Sequence, residues 1–207
     1  MLAAAIVVAA ILGIDANCRA DLVITAPNLT VDPGSSGSFD VLITSTGGTF
    51  SVASDIVELS LNGLSGVTFT GVSINTSTPY IYGADSATLG GSTFTFSTFP
   101  GTTFETFDFL LALGAQTIAP GQSFGLVNVQ YSVAADAVAG ASGTLTFGPD
   151  TSFADASGLT VSADTPNGSI TIFAASVPEP TGLTLLAIGS AAAVVYSVRK
   201  RSAKSTN

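Results

Sequence analysis

From Phe39 onward the chain alternates. Phe39, Val41 and Ile43 are spaced by Asp40 and Leu42, and Val57, Leu59 and Leu61 by Glu58 and Ser60. The same period of two returns at Phe94 and Phe96, at Phe107, Phe109, Leu111 and Leu113, and at Val127, Val129, Tyr131 and Val133. It recurs at Leu145 and Phe147, at Leu159 and Val161, and at Ile170 and Ile172. Successive side chains on a strand leave on opposite faces, so these runs predict strands with one buried face. Between them lie Asp32-Pro33-Gly34, Gly47-Gly48, Asn62-Gly63, Gly90-Gly91, Pro100-Gly101, Pro120-Gly121 and Asn167-Gly168. Gly accepts φ > 0 and Pro pre-sets φ near −65°, so these pairs read as turns. Roughly ten short strands at this spacing predict an all-β fold, an antiparallel sandwich of two sheets. Val133–Ala141 alone has helical flavour and is expected to be a loop or a single turn.

Two stretches break the pattern. Leu2–Ile14 is an apolar run of thirteen residues, too short to span a bilayer and the right size for a signal-peptide core. Cys18-Arg19-Ala20 puts small residues at −3 and −1, so cleavage is expected between Ala20 and Asp21. The usual basic n-region is missing, which places the expected start upstream. Asp15-Ala16-Asn17 is too polar to lead into a lipidated Cys18. At the other end, Thr181–Val198 carries no charge and holds Leu183, Leu185, Leu186, Ile188, Val194, Val195 and Val198. Its eighteen residues make a helix of about 27 Å, enough to cross a hydrocarbon core of about 30 Å. Pro178 and Pro180 set its boundary, and Arg199, Lys200, Arg201 and Lys204 hold the tail in the cytoplasm. The expected organisation is a signal peptide at 1–20, a β-sandwich at 21–176, a terminal signal at 177–201 with its transmembrane helix at 181–198, and a cytoplasmic tail at 202–207.

The order Pro178-Glu179-Pro180, short apolar span, Arg199-Lys200-Arg201 near the chain's end resembles the PEP-CTERM sorting signal of exported bacterial proteins. The resemblance covers Val177–Arg201. It implies processing by exosortase, a membrane protease-transpeptidase, with Pro178, Glu179 and Pro180 as recognition residues and Arg199–Arg201 as a stop to translocation. It also implies a protein anchored in the cytoplasmic membrane before processing, then placed at the cell surface or in the extracellular matrix of a biofilm.

Charge narrows the partners. Between Asp21 and Val177 there are 157 residues without a Lys, Arg or His, against twelve acids. Phosphate binding runs on Lys and Arg, so nucleic acid is excluded as a partner and anionic lipid disfavoured. Solubility through self-repulsion accounts for the acidity. Cleavage at Ala20 removes Cys18, the single cysteine, so the mature chain is held by its core and not by an internal disulfide.

Three pieces carry a second resemblance. Val31-Asp32-Pro33-Gly34 leads into Ser38–Ile43, and Pro120–Phe124 into Val127–Val133 with Ala139-Gly140 after it. Phe153–Gly158 then runs on to Asn167–Ile172. Together they resemble the cohesin-type jelly-roll sandwich, a relative of some carbohydrate-binding modules. The resemblance implies a binding domain. The leading expectation is adhesion to polysaccharide or a partner protein, and the alternative is capture of a dockerin on a sheet face.

Catalysis has little to work with. Gly121-Gln122-Ser123-Phe124-Gly125 spells the nucleophile-elbow pattern, but that elbow needs a strand-to-helix turn and a histidine, and the chain has no His. A carboxylate hydrolase would need two acids about 5–9.5 Å apart in a cleft. Glu105 with Asp108, and Asp55 with Glu58, stand at odd spacing on expected strands and so leave on opposite faces. Without Trp, and with only Tyr80, Tyr82 and Tyr131 in the body, a sugar-stacking platform is thin. The chain reads as a non-enzyme needing no cofactor. Asp150, Asp155 and Asp164 offer hard oxygen donors for Ca²⁺, although no D-x-D-x-D-G ladder joins them and solvated turn acids are the plainer reading.

Overall fold

The computed structural model describes residues 21–89, 95, 97–112 and 114–174. The expected signal peptide, the Phe94/Phe96 run, Leu113, the terminal helix and the basic cluster lie outside the described residues. The described residues form twelve strands: β1 (Leu22–Thr25), β2 (Asn28–Val31), β3 (Ser36–Ser45), β4 (Phe50–Val52), β5 (Ser54–Asn62) and β6 (Val67–Ser73), then β7 (Thr103–Phe109), β8 (Gln116–Ile118), β9 (Ser123–Val133), β10 (Ser142–Phe147), β11 (Ser152–Ala154) and β12 (Gly168–Ile172). Among the described residues a single 3₁₀ turn, Gly83–Asp85, interrupts the all-β pattern, and of the Val133–Ala141 stretch Val133 ends β9 while residues 134–141 form turns and loop.

The strands make two main sheets. One has the order β1-β3-β9-β6. In the other, β7 lies on one edge of β5, and β10 and β11 share its opposite edge, followed by β12 and β2. A short β4–β8 ribbon completes the set. The alternation did its work: Phe39, Val41 and Ile43 of β3 and Val57, Leu59 and Leu61 of β5 all point into the shared core. Phe69 and Phe104 are fully buried and meet edge to face at 5.4 Å, joining β6 of one sheet to β7 of the other. Such pairs gain about 0.5–1.5 kcal/mol beyond the area they bury.

Three expectations change. The sheets are not wholly antiparallel, because β12 runs parallel to β2. This follows from Ala26-Pro27, where the chain leaves β1 in the first sheet and enters β2 in the second. Leu159 and Val161 do not form a named strand: Thr160 makes an isolated bridge to Ala154, and Leu159 is 66% exposed. On β7 the buried face is the opposite one. Phe104, Thr106 and Asp108 point inward, while Phe107 and Phe109 lie half-buried on the outer face, their rings 5.4 Å apart. Ile56 is the cross-strand partner of Phe107 and shares that outer face, which gives the phenyl ring apolar cover there.

Candidate functional site

The inward face of β7 brings a carboxyl into the interior. Antiparallel register sets Asp55 of β5 opposite Asp108 of β7, and both are buried, at 2% and 1% exposure. The two odd-spaced acid pairs read from the sequence therefore exchange partners. Each pair does split between faces, but Asp55 meets Asp108 inside while Glu58 meets Glu105 outside.

Asp108 accepts four hydrogen bonds. Its Oδ2 takes the Tyr80 hydroxyl at 2.6 Å and the Ser86 hydroxyl, and its Oδ1 takes the backbone N–H groups of Thr88 at 3.1 Å and Phe109 at 2.8 Å. Four donors suit an acceptor-only carboxylate. Asp55 has no such support. Burial pushes its carboxyl up to about 8, the nearby Tyr82 hydroxyl partly opposes this, and the charge of Asp108 adds to it. The Tyr82 hydroxyl and Asp55 Oδ1 are both buried, and neither makes a well-formed hydrogen bond. Burial also pushes both phenols, Tyr80 and Tyr82, above their ordinary range. This cluster is sealed in the core.

The sheets' outer faces are open. On the first sheet, Ser38, Asp40, Leu42 and Thr44 of β3 lie beside Asn128 and Gln130 of β9, with Thr68 and Thr70 of β6 beyond. Part of this face is covered by the chain itself. Asp40 accepts the Ser77 N–H at 2.6 Å and the Ser77 hydroxyl through Oδ2, and the Asn128 amide at 2.7 Å through Oδ1. Thr76 sits where a side chain at 125 would be, so Gly125 is needed for close approach. The nucleophile-elbow letters thus have structural causes. Gly121, at φ +78°, turns the chain into β9, and Ser123 exchanges a hydrogen bond with Thr44 across the strands at 2.7 Å.

Part of the second sheet's outer face is a neutral polar field. Asn28, Ser169, Thr144 and Asn62 form one cross-strand row, Thr30, Thr171 and Ser142 another, and Thr146, Ser60 and Thr103 a third. Hydroxyls bond along the rows, as Ser142 to Thr171 and Ser60 to Thr103, both at 3.0 Å. Next come the facing Glu58 and Glu105, then Ile56 and Phe107.

The remaining sequence-derived candidates separate. Asp150 donates its N–H to Glu58 Oε2 at 3.3 Å. Asp155 Oδ1 caps its own turn, accepting from Ser157 at 2.8 Å and Leu159 at 3.0 Å. Asp164 ties its backbone to β1 through Leu22 and Ile24, and its side of the fold lines a shallow cleft of about 430 Å³ with Val23, Thr165 and Pro166. These three acids are not brought together, and among the described residues no three His, Cys, Asp or Glu side chains gather as metal ligands. Asp21 is the first described residue, and its carbonyl accepts the Thr46 N–H at 2.6 Å. Ala20, Pro178, Glu179, Pro180, Arg199, Lys200 and Arg201 lie outside the described residues. No described helix is long and apolar enough to cross a membrane.

No protein-family model and no curated protein matches the chain in sequence. Solved structures do match in shape. The sixth cohesin of scaffoldin B from Acetivibrio cellulolyticus, in complex with a mutant Cel5 dockerin, aligns at TM-score 0.55 and 13% identity, over 73% of this chain and 98% of that one. The fold is cohesin-like. The solution structure of CaCohA2 from Clostridium acetobutylicum aligns at TM-score 0.55 and 19% identity, over 76% of this chain and 94% of that one. A non-cellulosomal cohesin from the archaeon Archaeoglobus fulgidus aligns at TM-score 0.50 and 18% identity, with 76% and 94% covered.

Proposed function

We propose that the sandwich is a non-catalytic docking module, exported and displayed at the cell surface, that captures a partner protein on an outer sheet face. The observation that carries this is the cohesin-like fold, which spans nearly the whole of a cohesin solved in complex with a dockerin. The interior supports it: Asp55 and Asp108 are sealed in the core, and the half-buried pair Glu58 and Glu105 faces across neighbouring strands on the outer side of the sheet. The absence of basic residues between Asp21 and Val177 favours a partner with a neutral or basic contact surface.

Delivery belongs to the same proposal. Exosortase would recognise Pro178, Glu179 and Pro180 while the span 181–198 holds the precursor in the membrane and Arg199–Arg201 keep the tail inside. Replacing Pro178, Glu179 and Pro180 with Ala should leave unprocessed precursor in the membrane fraction. Unchanged processing would refute the sorting step.

Docking is tested by titrating the full chain, in detergent, against a panel of purified dockerin modules in a calorimeter. A one-to-one complex is the expected result. Retention on polysaccharide with no protein complex would overturn docking in favour of the glycan reading, which the neutral Ser, Thr and Asn rows on the second sheet favour. Turnover of a glycan, lost on Glu105→Gln, would overturn both.

A further inference from the structure

The Asp55–Asp108 cluster lies in the interior, under a segment that joins the two sheets. Residues Tyr80 to Leu89 form no strand. At one end the Ile81 N–H reaches Gly125 of β9 at 3.0 Å, in the first sheet. At the other the Ala87 N–H reaches Phe109 of β7 at 2.8 Å, in the second. Besides these bonds, and one from the Leu111 N–H to the Asp85 carbonyl at 2.8 Å, the strap's side chains and backbone converge on Asp108 through Tyr80, Ser86 and Thr88. Ile81, Tyr82, Ser86 and Ala87 are buried, so the strap is the wall that keeps water from the two carboxyls.

We propose that Asp55 and Asp108 together form a one-proton latch for the Tyr80–Leu89 strap, and that losing the proton releases the strap from the second sheet. With one proton present the pair carries a single negative charge, which the four donors on Asp108 satisfy. Without it, two like charges face each other in a dry interior. Nothing positive is available to answer the second charge. Asp108 faces Asp55 from β7, Tyr80 and Tyr82 face it from the strap, and Phe153 is its partner on β11. No Lys, Arg or His occurs from Asp21 to Val177. The strain is relieved by hydration, and hydration requires the strap to move. Burial makes the Asp55 carboxyl a weaker acid, which agrees with this direction. A metal ion fits less well, because both Asp108 oxygens are already taken by two donors each, leaving Asp55 alone to bind it.

The linkage has a definite sign. Closed, Asp55 keeps its proton up to about pH 8; opened to water, it behaves as an ordinary aspartate of about 3.9. The strap is therefore most secure in acid and loses protection as pH rises between those values, then levels off. The test is amide hydrogen exchange of the full chain in detergent from pH 5 to pH 9, corrected for intrinsic exchange. Protection of the strap amides should fall by up to about tenfold per pH unit until about pH 8, while the β3–β9 ladder stays constant. Asp55→Asn should make the strap's profile flat. Asp108→Asn should unfasten the strap even at pH 5, which gives a readout if the first variant does not fold. A flat wild-type profile overturns the proposal, as does a wild-type slope retained in Asp55→Asn. Restoration of protection at pH 9 by Ca²⁺, lost in Asp55→Asn, would show a cation site in place of the latch.

Discussion

Two glycines on the second sheet allow a prediction in which the closer overlap is the cheaper one. A methyl group at Gly148 would run directly into the Glu58 carboxylate. At Gly168 the nearest atoms are farther, the carbonyl oxygens of Pro27 at 2.6 Å and Ala26 at 2.7 Å. Distance alone ranks Gly148→Ala as the worse substitution. What gives way decides otherwise. Glu58 carries its carboxylate at the end of a flexible chain on the outer face and can swing into water, losing only the long 3.3 Å contact from Asp150. Pro27 and Ala26 are backbone at the crossover between β1 and β2, where the Pro27 carbonyl accepts the Ser169 N–H at 3.2 Å. They must retreat by roughly 0.8 Å to restore an ordinary contact, and such overpacking costs about 1–3 kcal/mol.

Neither glycine has φ > 0, so alanine is conformationally acceptable at both and stiffens the unfolded chain, a gain of about 0.4–1 kcal/mol. Gly148→Ala is thus expected within about 0.5 kcal/mol of the parent, and Gly168→Ala about 1–2 kcal/mol below it. In urea, with a slope near 2 kcal/mol/M, the second variant's midpoint should drop by roughly 0.5–1 M. Tyrosine fluorescence and far-UV circular dichroism would follow the transition. Gly168→Ala should also speed hydrogen exchange along the β2–β12 ladder. Equal midpoints, or a lower one for Gly148→Ala, would refute the argument that β12 packs against an immovable crossover.

Phe69→Ala and Phe104→Ala should each cost about 3–5 kcal/mol, and the double variant should show a coupling of about 0.5–1.5 kcal/mol by denaturant melts; zero coupling would mean the rings do not bridge the sheets. Burial raises the Asp40 carboxyl, but hydrogen bonds from Asn128, from the Ser77 side chain and from the Ser77 and Thr78 backbone outweigh it and hold it below the usual carboxylate range. Its contribution is therefore present above an ordinary aspartate's pKa and lost as pH falls through the folded value, so the melting temperature should drop in acid, and Asp40→Asn should remove that share of the drop. Glu58 and Glu105 are like charges directly opposite on neighbouring strands, so Glu105→Lys should raise stability by about 0.2–1 kcal/mol, more in low salt than in high.

The alternation that makes β3, β5 and β9 legible is a local property, and there the sequence reading and the structure agree on which residues face inward. β7 is the instructive exception. Its phenylalanines at 107 and 109 catch the eye, but the phase of the buried face is set by Phe104, whose own face continues through Thr106 and Asp108. That polar continuation is tolerable because Tyr80, Ser86 and Thr88 arrive from elsewhere in the chain to bond it. A visible signal did exist: hydroxyl-bearing residues crowd a stretch, Tyr80 to Thr88, that shows no alternation. β1 and β2, four residues each, are too short for periodicity to separate from chance.

The acids show why a site is harder to read than a fold. Spacing along one strand determined correctly that Asp55 and Glu58, and likewise Glu105 and Asp108, part company. It could not determine which acids then meet, because that depends on the register between β5 and β7, and register is fixed by packing across the sheet. One residue's slip in either direction would have placed Asp55 against a phenylalanine, Phe107 or Phe109, and left no carboxyl pair at all. The chain's lack of basic residues, read at first as a statement about partners, then acquires a second meaning inside the fold. Once register sets two aspartates face to face in a body without a cation, a retained proton is what lets them stay buried together.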